Sequence, residues 1–356
     1  MTAPYSHHAV RELAWAFEGP GLLAHDVFHS NVESDATMRQ WVERHRARIN
    51  ALEQDPTPLL RYLSGVAIYD RLGRYFEALL RYFLVEVEGV SKLLTNLQVR
   101  EKKATIGELD LVFLSASLAS VRARHWEASV KFYLCTALDE DEAREERFFM
   151  GTLVEDRLDR KLHKLLEKQL KLPLLPAAHA LLSEAGLASP ESRALLKGFL
   201  YYASDKDWKT YPHPSTISVN HVHGWWTTSD KLCLPRESSQ SRYILLEPAR
   251  WLAPYYGWIP CNNVLTRESL SDLVREVFSG PTTERSVFRE MMVAEVEPEA
   301  EADGTLRVRE LSRGNILHAE WPKLARTASE PDEGLTRFLT ALRISEDHST
   351  SRTEPN

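Results

Sequence analysis

Thr105-Ile106-Gly107-Glu108-Leu109-Asp110 and, further on, His125-Trp126-Glu127-Ala128-Ser129-Val130-Lys131-Phe132-Tyr133-Leu134 are the stretches from which the fold can be read. In the second, polar and apolar residues alternate, which is the period of a strand with one polar and one packed face. The first opens a strand-like run from Ile106 to Leu114, and Leu94, Asn96 and Gln98 precede it with the same spacing. Leu93 to Leu134 therefore reads as a β-meander, with a weakly patterned piece from Ser115 to Arg124. Within it, Glu108 and Asp110 share one strand face, and Glu127, Ser129 and Lys131 share another. All five can point into one cleft.

Upstream, Leu72 to Val87 has a broad apolar helical face that includes Tyr75, Phe76, Leu79, Leu80 and Phe83, and it carries one acid, Glu77. A buried carboxylate is costly unless paired, and Arg74 or Arg81 are at the spacing that can pair it. Downstream, beyond the acidic run Asp139 to Glu146, a long helix is expected from about Val154 to Leu172. Its leucines face inward and its bases, among them Arg157, Lys161, Lys164 and Lys168, face outward. A shorter helix near Ala177 to Ala185 ends at Gly186, and Arg193 to Tyr202 reads as another strand.

A helix with an acid, two strands with acids and a lysine, and a basic helix form the layout of a metal-dependent phosphodiesterase. A hard cation takes oxygen ligands, so Asp110 and Glu127 are the expected holders of Mg²⁺ or Mn²⁺. Lys131, Glu127, Asp110 and Glu77 are the expected catalytic set, with Lys131 acting on the attacking water or the developing charge. The basic face of Arg157, Lys161, Lys164 and Lys168 suits phosphates, although a charged helix face is more often simply solvated. No organic cofactor is expected, because the chain has no Gly-rich dinucleotide or phosphate loop.

Leu72-Gly73-Arg74-Tyr75-Phe76-Glu77, Thr105 to Asp110, Trp126-Glu127, Val130 to Leu134, Asp156-Arg157-Leu158, Lys161-Leu162, Gln169-Leu170 and Gly224-Trp225-Trp226 together resemble a bacterial family, domain of unknown function 1853. The resemblance covers roughly Tyr62 to Pro322. That family looks like a branch of the PD-(D/E)XK superfamily, which implies a restriction-endonuclease-like fold and a Mg²⁺-dependent nuclease acting on nucleic acid. One position departs from the superfamily pattern: an acid is expected two residues before the lysine, and Ser129 stands there. Glu127 lies four before Lys131, about 13 Å along a strand instead of about 7 Å. Either Glu108 supplies the missing ligand, or the protein is a catalytically degenerate nuclease fold serving as a binding or assembly module.

The whole is expected to be an α/β (α+β) protein with a central mixed β-sheet flanked by helices. A helical lead-in is read over residues 1–65, the nuclease-like core over 66–210, an α+β extension over 211–327 and a flexible tail over 328–356. The lead-in includes a helix from Met38 to Leu52. The extension includes a helix near Ser269 to Phe278 and a hairpin from Met291 to Ala319 turning at Asp303-Gly304. Its Trp225, Trp226, Trp251, Tyr255, Tyr256 and Trp258 fit core packing better than base stacking, and they offer a surface to a protein partner. His221 and His223 make a weak metal pair.

Composition sets outer bounds on these readings. Apolar residues make up 43% and charged residues 27% of 356, which is ordinary globular usage. The net charge of −7 argues against a general nucleic-acid coat protein, and most of the acid excess lies beyond Met291. Three cysteines with no CxxC fit reduced thiols, neither a secretory signal nor an apolar run of about 18 residues is evident, and a cytoplasmic protein without a membrane partner is expected.

Overall fold

Alternating residues put the strands where the sequence places them. The computed structural model describes residues 5–66, 72–114, 122–207, 210–235, 240–283 and 285–350, with side chains up to 342. The weakly patterned stretch 115–121 and the last residues of the tail, 351–356, lie outside the described residues. Among the described residues ten strands form one mixed sheet: β1 (Lys92–Glu101), β2 (Ala104–Leu114), β3 (Arg124–Cys135), β4 (Phe149–Met150), β5 (Glu191–Ala203), β6 (Val222–Thr228), β7 (Arg242–Leu245), β8 (Tyr256–Pro260), β9 (Glu290–Ala302) and β10 (Thr305–Leu317). Their order is β1-β2-β3-β5-β6-β10-β9-β7, with β4 on the end of β3 and β8 on β10.

The meander β1-β2-β3 is antiparallel, whereas β3, β5, β6 and β10 run parallel. Beyond them β9 and β7 return to antiparallel pairing. The strands after residue 211 thus extend the sheet that begins with the meander. Asp303 and Gly304 turn the β9–β10 hairpin with φ of 48° and 72°, the left-handed pair that a tight hairpin turn requires.

Alternation on β3 and β5 sorts the core. Trp126, Ala128 and Leu134, with Leu195, Phe199 and Tyr201, face the layer that holds the helix Leu72–Tyr82 and the N-terminal helices. Phe17, Trp41 and Phe83 stack there around Trp126. On the opposite face, Tyr133 and Cys135 with Leu196, Leu200 and Tyr202 pack under the helix Leu158–Lys164. Glu127, Ser129 and Lys131 alternate onto this second face, so the basic helix covers the acidic strand.

Gly198 fixes the β3–β5 register opposite Lys131. Its φ is 141°, and a Cβ there would lie 1.7 Å from the Lys131 carbonyl oxygen. No other residue fits without moving a central strand.

Three expectations are corrected. The helix expected from Met38 to Leu52 is two, Asp35–Arg44 and Arg46–Gln54, separated at His45, whose ring bonds Glu88 at 2.6 Å. The long basic helix is shorter: Arg157 is extended, the α-helix spans Leu158–Lys164, and Leu165–Gln169 continue as a wider turn closed by the Leu170 amide on the Leu165 carbonyl at 2.9 Å. The tail is not loose over its first part, because the helix Glu333–Thr350 lays Phe338, Leu339 and Leu342 against the core under the helix Leu158–Lys164. Phe338 meets His163 edge-on at 5.1 Å between ring centres.

Candidate functional site

Asp110 and Glu127 are brought together by the way β2 and β3 part. The paired register runs from Phe113↔Arg124 to Leu111↔Trp126, and Asp110 and Glu127 follow where that pairing ends. There the Asp110 carboxylate takes the place of a backbone partner and accepts the Ala128 N–H at 3.0 Å. Glu127 is only 3% exposed. One of its oxygens accepts from the Gln169 side chain, and the other, buried, accepts from no donor among the described residues; the His125 ring lies 3.8 Å from that oxygen.

These surroundings shift both acids. Burial pushes Asp110 up to about 6, against the Ala128 amide, with Glu77 adding to the rise. Burial, then the neighbouring Asp110, pushes Glu127 up to about 8. At neutral pH the pair therefore holds a proton between them. His125 does not neutralise it, since burial lowers its pKa to about 4.

The lysine nearest these carboxyls in electrostatic effect comes from the covering helix. Lys161 donates to Gln169 Oε1 at 3.3 Å, and Gln169 donates to Glu127, so lysine, amide and acid form a chain. Burial lowers the Lys161 pKa, opposed by Glu127 and Asp110. The wide turn is what presents Gln169 to the sheet: an extra residue per turn rotates the side chain, a geometry recurrent at functional sites.

Lys131 lies on the same strand face but is engaged elsewhere, 2.6 Å from Asp156 Oδ2, while Tyr133 donates to Asp156 Oδ1 at 3.3 Å. Glu77 and Glu108 meet through one residue: the Asn96 amide donates to Glu77 at 3.3 Å and to Glu108 at 3.1 Å. Asn96 is in the left-handed region with φ of 51°, which asparagine tolerates better than most residues. Glu77 pairs with neither Arg74 nor Arg81 among the described residues. Glu108 itself is exposed.

Of the four bases expected to face phosphates, Lys164 and Lys168 are exposed, and Lys161 is half-buried over the carboxyls. Arg157 is not on that surface. Only 2% exposed, it bonds Asp159 and the carbonyls of Ala328 and Glu330, because its extended backbone at the helix start turns it inward. Sequence reading passed over the contacts of Asn96, Asp156 and Gln169. Asp156 and Gln169 stood in the motif set, but nothing in a spacing tells which strand they meet.

Among the described residues no group of three or more His, Cys, Asp or Glu is gathered closely enough to hold a metal ion. His221 is satisfied otherwise, its ring bonded to Tyr202 at 3.0 Å and to the Ser218 carbonyl at 2.7 Å. In the aromatic stretch Trp225 is fully buried, while Trp258 is 48% exposed with Arg307 over its ring. No helix among the described residues is long and apolar enough to cross a membrane.

The model of one protein family, a domain of unknown function (DUF1853), matches residues 11–316. No curated protein and no solved structure matches the chain.

Proposed function

We propose, for a chain that belongs to the DUF1853 family, that the cleft over β2 and β3 serves a metal-dependent phosphodiesterase of the PD-(D/E)XK nuclease type. One observation carries the reading: Glu127 is buried beside the half-buried Asp110, both with raised pKa values, and one Glu127 oxygen accepts from no donor among the described residues. Carboxyls placed this way are costly to ionise, and a hard divalent cation offsets that cost. The element order supports it: the helix with Glu77, the meander, the basic helix, then β5 parallel to β3.

The donor set fits Mg²⁺ or Mn²⁺. Mg²⁺ commonly takes one or two carboxylates and completes its shell with water and substrate phosphate. Asp110 and Glu127 would hold it, with Glu77 and Glu108 behind them through Asn96. When bound, the ion supplies Lewis-acid polarisation of a phosphoryl oxygen and a more acidic water. Lys161, not Lys131, is the lysine linked to the carboxyls through Gln169, and it takes the part of stabilising developing negative charge. Gln169 orients Glu127 and links it to Lys161. Lys164 and Lys168 are the exposed bases for a nucleic-acid backbone.

A second reading, a nuclease-like fold that binds or assembles without cleaving, is favoured by the Lys131–Asp156 pair and by Ser129 at the usual acidic position. Titration calorimetry of Mg²⁺ and Mn²⁺ into wild type and Asp110→Asn, followed by cleavage of mixed DNA and RNA, separates the two. Binding lost in the variant together with metal-dependent cleavage supports the enzyme. No binding by the wild type overturns it and leaves the non-catalytic reading.

A further inference from the structure

The four parallel strands end together. β3 stops at Cys135, β5 at Ala203, β6 at Thr228 and β10 at Leu317, and all four point the same way. The carboxyl end of a parallel sheet is where open α/β proteins form ligand crevices, because strand ends and the following loops splay apart there. Here the space is a cavity of about 610 Å³, within the range of small-molecule sites.

Its lining comes from the segment after each strand: Ala137 and Leu138 after β3, Ser204 to Lys206 after β5, Lys231 after β6, and the helix Trp321–Ala328 after β10. The half-buried Trp226 ring lies in the lining. It is fixed by an indole N–H donated to the Cys135 carbonyl at 2.9 Å and by edge contact with Trp321 at 5.8 Å. An aromatic ring held this rigidly offers stacking area at little entropic cost.

Four cations lie around that ring, and two are already neutralised. Arg326 forks onto Glu142, and Lys323 is 2.6 Å from Glu320. Among the described residues Lys206 reaches the Leu138 carbonyl at 3.3 Å and the Tyr211 ring at 5.6 Å and makes no ion pair. Lys231 has no ion pair among the described residues. Asp205 is the acid of the lining, so the two less engaged ammonium groups leave it net positive. Thr228, 5% exposed, also lines the cavity, and its hydroxyl has no partner among the described residues.

We propose that this cavity binds an organic phosphate of mononucleotide size, its phosphate held by Lys206 and Lys231 and its ring system against Trp226. The site is separate from the Asp110–Glu127 cleft, and its occupation needs no metal.

Calorimetric titration of adenosine monophosphate and of inorganic phosphate into the full chain, at low salt with a chelator present, tests this. The expected result is saturable binding of the nucleotide, tighter than that of inorganic phosphate. Affinity should fall about tenfold or more in the Lys206→Ala/Lys231→Ala double variant, the loss expected for charge-assisted contacts. It should also fall in Ser204→Trp, which fills the cavity without touching its charge, and should persist in Asp110→Asn. Absence of nucleotide binding at millimolar concentration overturns the proposal. So does binding that is equal for nucleotide and inorganic phosphate, or that survives in both cavity variants.

Discussion

Replacing Glu127 with glutamine tests the electrostatics of the carboxyl pair without invoking any ligand. Glutamine has the shape of the protonated acid and cannot ionise. A carboxyl whose folded pKa is raised binds more protons folded than unfolded. Its contribution to stability is full below about 4.5 and is lost as pH rises through about 8. Taking Glu127 from 4.5 unfolded to about 8 folded, linkage removes about 3 kcal/mol between pH 6 and pH 9. Urea unfolding at the two pH values, with a chelator present, should show wild type losing that much more stability than Glu127→Gln. Parallel pH profiles for the two proteins would refute the account of a buried, proton-sharing pair.

Three further outcomes follow from the same structure. Because Asp110 and Glu127 must both ionise to hold a cation, Mg²⁺ or Mn²⁺ affinity should rise roughly 30-fold between pH 6.5 and 8.5, with about one proton released per ion near neutrality; calorimetry in buffers of different ionisation enthalpy reads both. Gly198→Ala should cost more than about 4 kcal/mol or prevent folding, since its Cβ would overlap the Lys131 carbonyl; expression and thermal unfolding at wild-type level would contradict this. Arg157→Ala should cost about 3–5 kcal/mol by leaving Asp159 buried and unpaired, and should free the C-terminal helix to limited proteolysis before the rest of the chain. Equal cleavage rates for the variant and wild type would remove Arg157 from that role.

The meander was legible because period two survives burial on one face: Glu127, Ser129 and Lys131 lie on one side of β3 as their alternation requires. The turn at Asp303-Gly304 was legible for a similar reason, since few other pairs adopt both left-handed conformations cheaply. The pairing of the site was not. A basic helix pattern gives a polar face but not which lysine turns toward the sheet. The wide turn after Lys164, which swings Gln169 onto Glu127 and leaves Lys161 over the carboxyls, has no periodic signature. Asn96 looked like one polar residue in a strand, and its part in joining Glu77 to Glu108 depends on a left-handed backbone set by neighbours across the sheet. Arg157 looked like the first of four exposed bases because the segment that buries it, Ala328 to Glu330, lies far along the chain.

The position of β10 between β6 and β9 bears on how the chain is made. The meander and β5 need only residues up to Ala203, so the Asp110–Glu127 cleft can close while synthesis continues. β6, by contrast, pairs with β5 on one side but waits for its second parallel neighbour, which ends at Leu317, roughly 90 residues later, a delay of about 4–18 s at ordinary elongation rates. During that interval Gly224-Trp225-Trp226 presents an unpaired, aromatic strand edge. The C-terminal half of the sheet is therefore the part whose yield should depend most on chaperones and growth temperature, and the half that carries Asp110 and Glu127 the part that tolerates a slow ribosome.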